Sequence, residues 1–566
     1  MVDLRAKPFY LDDEGIQWVK DTIASMTIEE KIGQLFCPVG FTTDEGVLRS
    51  LLSKGIGGLM YRSGPGADIQ SYHRFLQNES KIPLLLAANL EAGGIGSALD
   101  GTNFGKPLQV AATGDVEKAY QLGKVSCTEG AAVGCNWSFA PIVDIDMNWR
   151  NPITNLRTFG DSADRVLAMG GAYLRGADEA GLACSIKHFP GDGVDERDQH
   201  LHLTVNSLSA DEWMDTYGKV YKGLIDQGAK TVMIAHIAQP EWVRRINPNA
   251  TDKEAYMPAT LSPELMQGLL RGECNFNGMI VTDATTMLGY TCAMPRSKAV
   301  PTTIAIGVDM FLFNKSFDED YEYMMEGYKS GIITEERLEE ALTRILGLKA
   351  SLKLHIKQRE GTLVPGPEAL EILHNAQFDQ WARECADQAI TLVKDTAGLL
   401  PITPEKYKRI VLFCSEGGDY FGNTTGYDKK VKAELESRGF EVLDPPEGAY
   451  ISDKPITVAS FSESYDLALY CFDFPTASNN TVIRLVWKGG LGGSNTPWFS
   501  EEIPVAAVSF ANPYHLIDVP QIHTYVNAYT QNEYTIPAVV DKLMGISEFK
   551  GTSPVDPFCG RPDTRF

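Results

Sequence analysis

The sequence predicts an α/β protein: a (β/α) barrel over residues 1–350, a connector and helix over 351–390, and a smaller α/β unit over 391–566. Three observations predict it. Short runs that are apolar throughout recur along the first part, as strands buried on both faces of a parallel sheet require. Helix-like stretches of crossover length separate them. The chain has 566 residues, enough for two or three domains when a barrel is among them.

The strand candidates are GGLMY (57–61), IPLLLAANL (82–90), GCNWSFAP (134–141), LACSIKHF (182–189), TVMIAH (231–236), GMIVTD (278–283) and VDMFLF (308–313). Between them lie helical patterns such as DVEKAYQLGKVSCTEGAAV and DSADRVLAMGGAYLRGADEAG. Seven candidates with helical crossovers favour a barrel, regular or not, over an open doubly wound sheet. The connector ends in one helical stretch, PEALEILHNAQFDQWARECADQAITLV. RIVLFC (409–414), DLALYCF (466–472) and PVAAVSF (504–510) then read as strands of the second unit. GGLGGSN (489–495) lacks the Lys-Ser/Thr of a phosphate loop and reads as a surface loop.

Hydrophobic residues make up 43% of the chain and charged residues 22%, a globular composition. Net charge is −23, which disfavours nucleic-acid and anionic-membrane partners, since both need a positive footprint. No apolar run suits a signal peptide or a membrane helix. Ten scattered cysteines without a CxxC pair read as reduced, mostly buried thiols, so a cytoplasmic location is expected. No cofactor and no structural zinc are expected, because no Cys/His cluster has ligand spacing. Oligomeric state stays open.

Polar residues cluster just after the apolar runs: Asn89 and Glu91, Asp144 and Asp146, Lys187 and His188, His236, and Asp283. In a parallel barrel that face carries the active site, although each such residue could instead cap a helix or turn. The densest stretch is KHFPGDGVDERDQHLH (187–202), and four of the nine histidines fall between 188 and 236. Asp198 stands two residues before His200. A carboxylate holding one ring nitrogen would fix the tautomer and leave the other to shuttle a proton. An exposed polar loop is the plainer reading. A metal site from His188, His200 and His236 is a third, without helical i, i+4 ligand spacing.

KHFPG-x-G-x4-D-x-H resembles the signature of glycoside hydrolase family 3, in its branch of bacterial β-N-acetylglucosaminidases. Similar motifs follow in order: KIGQLF, FAPIVDI, NPITNLRTFG, MIAHI, PATLSP and GMIVTDATTM, with ADQAITLVKDTAGLLPI resembling the start of the family's second domain. The resemblance implies a (β/α)8 TIM-like barrel followed by a C-terminal α/β sandwich. It implies Asp283 as the nucleophile that forms a glycosyl-enzyme, and His200 as acid/base with Asp198 as its partner. Arg157, Lys187 and His188 match sugar-binding positions, and Asn89, Glu91 and His236 join them as candidate substrate contacts. Two carboxylates are the usual pair of a retaining glycosidase; here an imidazole replaces one.

The sequence departs from the family after the second strand candidate. An Asp-Gln-Glu-Gly-Gly-Arg-like run is expected, and Asn89-Leu90-Glu91-Ala92-Gly93-Gly94 stands there. Asp192 stands where a His is common. The leading expectation is therefore a retaining, exo-acting β-N-acetylglucosaminidase (a β-N-acetylhexosaminidase) with a carbohydrate substrate and water as acceptor. One alternative is a β-N-acetylglucosaminide or β-glucoside phosphorylase. Another is an inactive sugar-binding protein, against which the joint presence of Asp283, Asp198 and His200 argues. Water is preferred because Asp192, Asp195, Glu196 and Asp198 would repel phosphate if they face the site.

Overall fold

The computed structural model describes residues 2–417, 425–446, 456–487 and 495–566, so the 489–495 loop lies outside the described residues except for Asn495. The chain forms two compact units, Met1–Phe104 with Ala119–Asn148 and Ser162–Asp379, and Gly105–Lys118 with Trp149–Asp161 and Gln380–Phe566. The span 1–350 is thus not one continuous unit, since two short segments of it pack within the second.

The first unit is a parallel barrel. Its strands are β1 (Phe36–Cys37), β2 (Val39–Gly40), β3 (Gly58–Tyr61), β4 (Leu85–Ala88), β5 (Trp137–Ser138) and β6 (Ala183–Phe189), followed by β8 (Thr231–Ile234), β10 (Met279–Thr282) and β11 (Phe311–Leu312). A further short pair, β7 (Thr204–Val205) and β9 (Ile237–Ala238), lies outside the ring. The parallel ladder runs β2-β3-β4-β5-β6-β8-β10. It closes through β11, which bridges β10 at Val281–Met310 and pairs with β1 at Phe36–Phe311. Closure excludes the open doubly wound sheet.

All seven apolar runs supply ring strands, and β4, β6, β8 and β10 are buried at every residue. The eighth position was not among the runs. Pro38 lacks an N–H and splits it into β1 and β2. The two helical patterns form Val116–Ala132 and Ala163–Glu179, the latter capped by Ser162, whose side chain accepts the Arg165 N–H.

Just before β11, fully buried Asp309 accepts from Arg271 (2.8 Å), Arg337 (2.6 Å), Arg344 (3.3 Å) and the Ile280 N–H (2.9 Å). Burial alone would raise its pKa. The three guanidinium groups more than offset that and hold it below the usual carboxylate range. Arg337 and Arg344 sit on the helix Glu335–Ser351, so one carboxylate ties that helix to the strand ends.

The second unit holds a six-stranded sheet in the order β12-β17-β16-β15-β13-β14. These strands are β12 (Thr391–Asp395), β13 (Arg409–Glu416), β14 (Glu441–Leu443), β15 (Leu467–Asp473), β16 (Val505–Ser509) and β17 (Thr524–Asn527). All neighbours are parallel except the edge pair β12–β17. Strand residues alternate between two cores. Ile410, Leu412, Leu467, Leu469 and Val508 enter one, and Val411, Phe413, Ala468, Tyr470 and Ala507 the other. This two-residue period makes the sheet the middle layer of a sandwich. The connector is less helical than its sequence suggests. Its helix covers only Ala376–Ala389, and the terminal TLV begins β12.

Among the described residues, no helix is long and apolar enough to cross a membrane. All ten cysteines are free thiols, most of them buried.

Candidate active site

The polar residues that follow the barrel strands converge at their C-terminal ends. After β4, Asn89 and Glu91 both accept from Lys187 Nζ, at 3.3 and 2.8 Å. Lys187 is buried near the end of β6, so its charge is met by Glu91 rather than by water.

His188, the next residue, is fixed from two sides by Asp144, which follows β5. Asp144 Oδ1 accepts the His188 backbone N–H (3.0 Å), and Oδ2 lies 2.7 Å from Nδ1. An ionised carboxylate can only accept, so Nδ1 carries the hydrogen. Nε2 is then left 4.0 Å from Asp283 Oδ2.

Asp283 ends β10. Its backbone N–H donates to the Ile234 carbonyl (2.7 Å), and its Oδ1 accepts the Ala284 N–H (2.7 Å). Burial would raise its pKa. His188 in the first place, with His236 and His200, outweighs burial and keeps the carboxyl below its ordinary value. The group is therefore an ionised, buried carboxylate, the form a nucleophile at an anomeric carbon needs.

His200 lies on the loop between β6 and β7. Asp198 is buried and accepts from both the His200 backbone N–H (2.8 Å) and Nδ1 (2.6 Å). That bond makes Nε2 the nitrogen able to carry a proton. Short β7–β9 pairing holds the far end of the loop, and the Leu288 N–H donates to the His200 carbonyl (3.1 Å).

His236, after β8, is fully buried, and burial pushes its pKa down to about 4. Nε2 is 3.0 Å from the Ala284 carbonyl, which only accepts, so Nε2 donates. Nδ1 accepts from Thr260 Oγ1 (3.0 Å). With both nitrogens used, His236 offers no lone pair to a metal and no surface to a sugar. Through Nε2 it braces the Asp283 loop. Among the described residues, no three or more His, Cys, Asp or Glu side chains gather as a metal site.

The structure thus brings Asn89, Glu91, Lys187, His188, Asp198, His200, His236 and Asp283 to one end of one barrel. Arg157 belongs to the second unit, at the end of the 3₁₀ turn Asn155–Arg157, where the Leu156 N–H donates to Thr476 Oγ1 (3.3 Å). Two residues that support the site were given no role in the sequence. Asp144 was visible as an acid at a strand end, but its hold on His188 spans 44 positions. Gln199 had no signal beyond its place in the Asp-Gln-His triplet.

Three of the four loop acids are hydrogen-bonded within the loop, while Glu196 is exposed. Asp192 Oδ1 accepts the Gly193 N–H (2.7 Å), and Oδ2 accepts from Gln199 Nε2 (3.4 Å). Asp195 accepts from the Arg197 guanidinium at 2.6–3.2 Å and from the Val205 N–H (2.8 Å). Asp198 holds His200.

A closed parallel barrel with a buried aspartate and an acid-held imidazole at its C-terminal pole is the layout of a glycosidase. The chain belongs to glycosyl hydrolase family 3, whose N-terminal domain matches residues 27–348. Along its whole length it is 43% identical to the whole of the β-N-acetylglucosaminidase/β-glucosidase of Cellulomonas fimi. The solved structure of the β-glucoside phosphorylase BglX is 46% identical, covers 99% of both chains and superposes with a TM-score of 0.93. A β-hexosaminidase of Pseudomonas aeruginosa is 31% identical over 40% of this chain and 65% of its own.

Proposed function

We propose that this enzyme is a retaining β-glycoside phosphorylase, taking β-linked N-acetylglucosamine or glucose from the non-reducing end and passing it to inorganic phosphate. Asp283 attacks the anomeric carbon while His200 Nε2 protonates the departing oxygen. The glycosidic C–O bond breaks and an ester to Asp283 forms. A phosphate oxygen then attacks the same carbon, the ester bond breaks, and Asp283 leaves as carboxylate. Dihydrogen phosphate returns the proton to His200. Two inversions give a sugar 1-phosphate of retained configuration. Lys187 with Asn89 and Glu91, and His188 held by Asp144, are proposed to meet sugar hydroxyls.

The observation that carries this reading is the state of the loop around His200. The proton carrier is an imidazole, which as a neutral base repels the phosphate monoanion less than a carboxylate would. Three of the four acids expected to repel phosphate, Asp192, Asp195 and Asp198, are hydrogen-bonded within their own loop, and the fourth, Glu196, is exposed. Asn89 adds to this, since an acid there would place a further negative charge beside Lys187. Full-length similarity to a β-glucoside phosphorylase supports the same acceptor. Similarity to the Cellulomonas fimi β-N-acetylglucosaminidase/β-glucosidase supports both donor sugars, and hydrolysis as the second reading.

The test is product identity. With a 4-nitrophenyl β-glycoside and millimolar phosphate, the sugar 1-phosphate should dominate, and the rate should rise with phosphate. Free sugar as main product, at a rate indifferent to phosphate, would replace this reading with hydrolysis.

A further inference from the structure

We infer that Gln199, between Asp198 and His200, is the positioning residue that sets where His200 stands relative to Asp283. The inference rests on the reading of His200 as proton carrier.

Gln199 is 1% exposed although its neighbour Arg197 is exposed. Burying an amide is costly unless its polar atoms are met, and here they are. Oε1 accepts the His236 backbone N–H at 3.0 Å, and Nε2 donates to Asp192 Oδ2 at 3.4 Å. The main chain is engaged as well. The Gly289 N–H donates to the Gln199 carbonyl (3.1 Å), beside the bond from Leu288 to the His200 carbonyl. The approach is close. A Cβ on Gly289 would lie 2.9 Å from His236 Cβ and 3.0 Å from the Gln199 carbonyl oxygen.

These bonds compose a path in which every link is local. Gln199 Oε1 holds the His236 main chain, His236 Nε2 holds the Ala284 carbonyl, and the Ala284 N–H holds Asp283 Oδ1. On the other side, Gln199 Nε2 holds Asp192, and the Asp192 N–H donates to Asp144 Oδ1 (2.8 Å), the group that fixes His188. Gln199 is thus the one side chain in these bonds that joins the His200 loop to both the Asp283 loop and the His188 anchor. A proton carrier must reach the leaving oxygen within about 3 Å, and a small displacement costs rate steeply. An amide is required, since Oε1 must accept while Nε2 donates. An ionised glutamate could not donate and would face Asp192, with Asp198 adjacent.

The experiment uses two aryl β-glycosides of the same sugar, one with a dinitrophenol leaving group and one with unsubstituted phenol. Only the second depends on protonation. Gln199→Leu should lower kcat for the phenyl glycoside about 10- to 100-fold, with little change in KM, and should change the dinitrophenyl rate less than about threefold. Gln199→Glu should show the same selectivity at pH 8. Its activity relative to wild type should recover towards pH 5, where a protonated carboxyl can both donate and accept. Parallel loss on both substrates, matching loss of folded protein, would reduce Gln199 to a structural residue. Near-normal phenyl glycoside turnover would also overturn the inference. His200→Ala, run alongside, separates the two claims: if it lacks the leaving-group selectivity itself, the proton-carrier assignment fails first.

Discussion

Asp283 illustrates how environment decides the work of a carboxyl group. Burial alone would raise its pKa. With His188 Nε2 at 4.0 Å and the Ala284 N–H on Oδ1, it is ionised. Asp283→Ala should therefore lose at least ~10³-fold in kcat while remaining folded, measured on an activated aryl glycoside. Near-normal turnover would place the nucleophile elsewhere. His200 is a different case, because its demand depends on the leaving group. His200→Ala should spare a dinitrophenyl glycoside and cripple a disaccharide, and added azide, which needs no base, should speed its deglycosylation. Asp198→Asn should be impaired on the disaccharide too, because it strips the negative charge that holds Nδ1–H at 2.6 Å and can turn an amide N–H donor towards the ring.

At the scale of elements, legibility followed burial. Strands such as β8 and β10 are covered on both faces, so their sequences are apolar throughout and announce themselves. β1 and β2 did not, because Pro38 interrupts two-residue pieces that only ring closure makes strands. β12 is an edge strand with Leu392 exposed, and β14 has three residues, too few for a pattern. The catalytic loop was legible through the spacing of Lys187, His188, Asp198 and His200. Its supports were not: Asp144 to His188 and Gln199 to His236 are bonds between distant positions, fixed by the tertiary fold alone. The Asp309 cluster is another such support. Asp309→Asn keeps shape but strips charge from a site holding three arginines. Leaving those cations without their counter-charge should cost about 3–5 kcal/mol, read as a lower urea midpoint. An unchanged midpoint would mean that Glu340, paired with Arg337 and Arg344, suffices.

For the whole molecule, two imidazoles set an acid limit. His73 and His236 are both buried, and burial brings each down to about 4 from an ordinary value of 6.5. His73 Nδ1 donates to the Val133 carbonyl (2.7 Å), and its Nε2 is buried without a hydrogen-bond partner. Neither ring can take a proton cheaply in the folded state. The unfolded chain takes up both near pH 6.5, while the folded chain resists until about 4. Lowered histidines make stability rise with pH across that window, so their contribution is intact above about 6.5 and lost progressively on the way down to 4. Each accounts for about 3 kcal/mol across the window, at about 1.4 kcal/mol per pH unit. His73→Asn keeps a donor for the Val133 carbonyl and removes the titration. Urea unfolding of wild type and variant at half-unit steps from pH 7 to 4 should show the variant losing less stability by roughly that amount. Parallel curves would mean that His73 takes its proton alike in the folded and unfolded chain, leaving His236 and the carboxylates to set the limit.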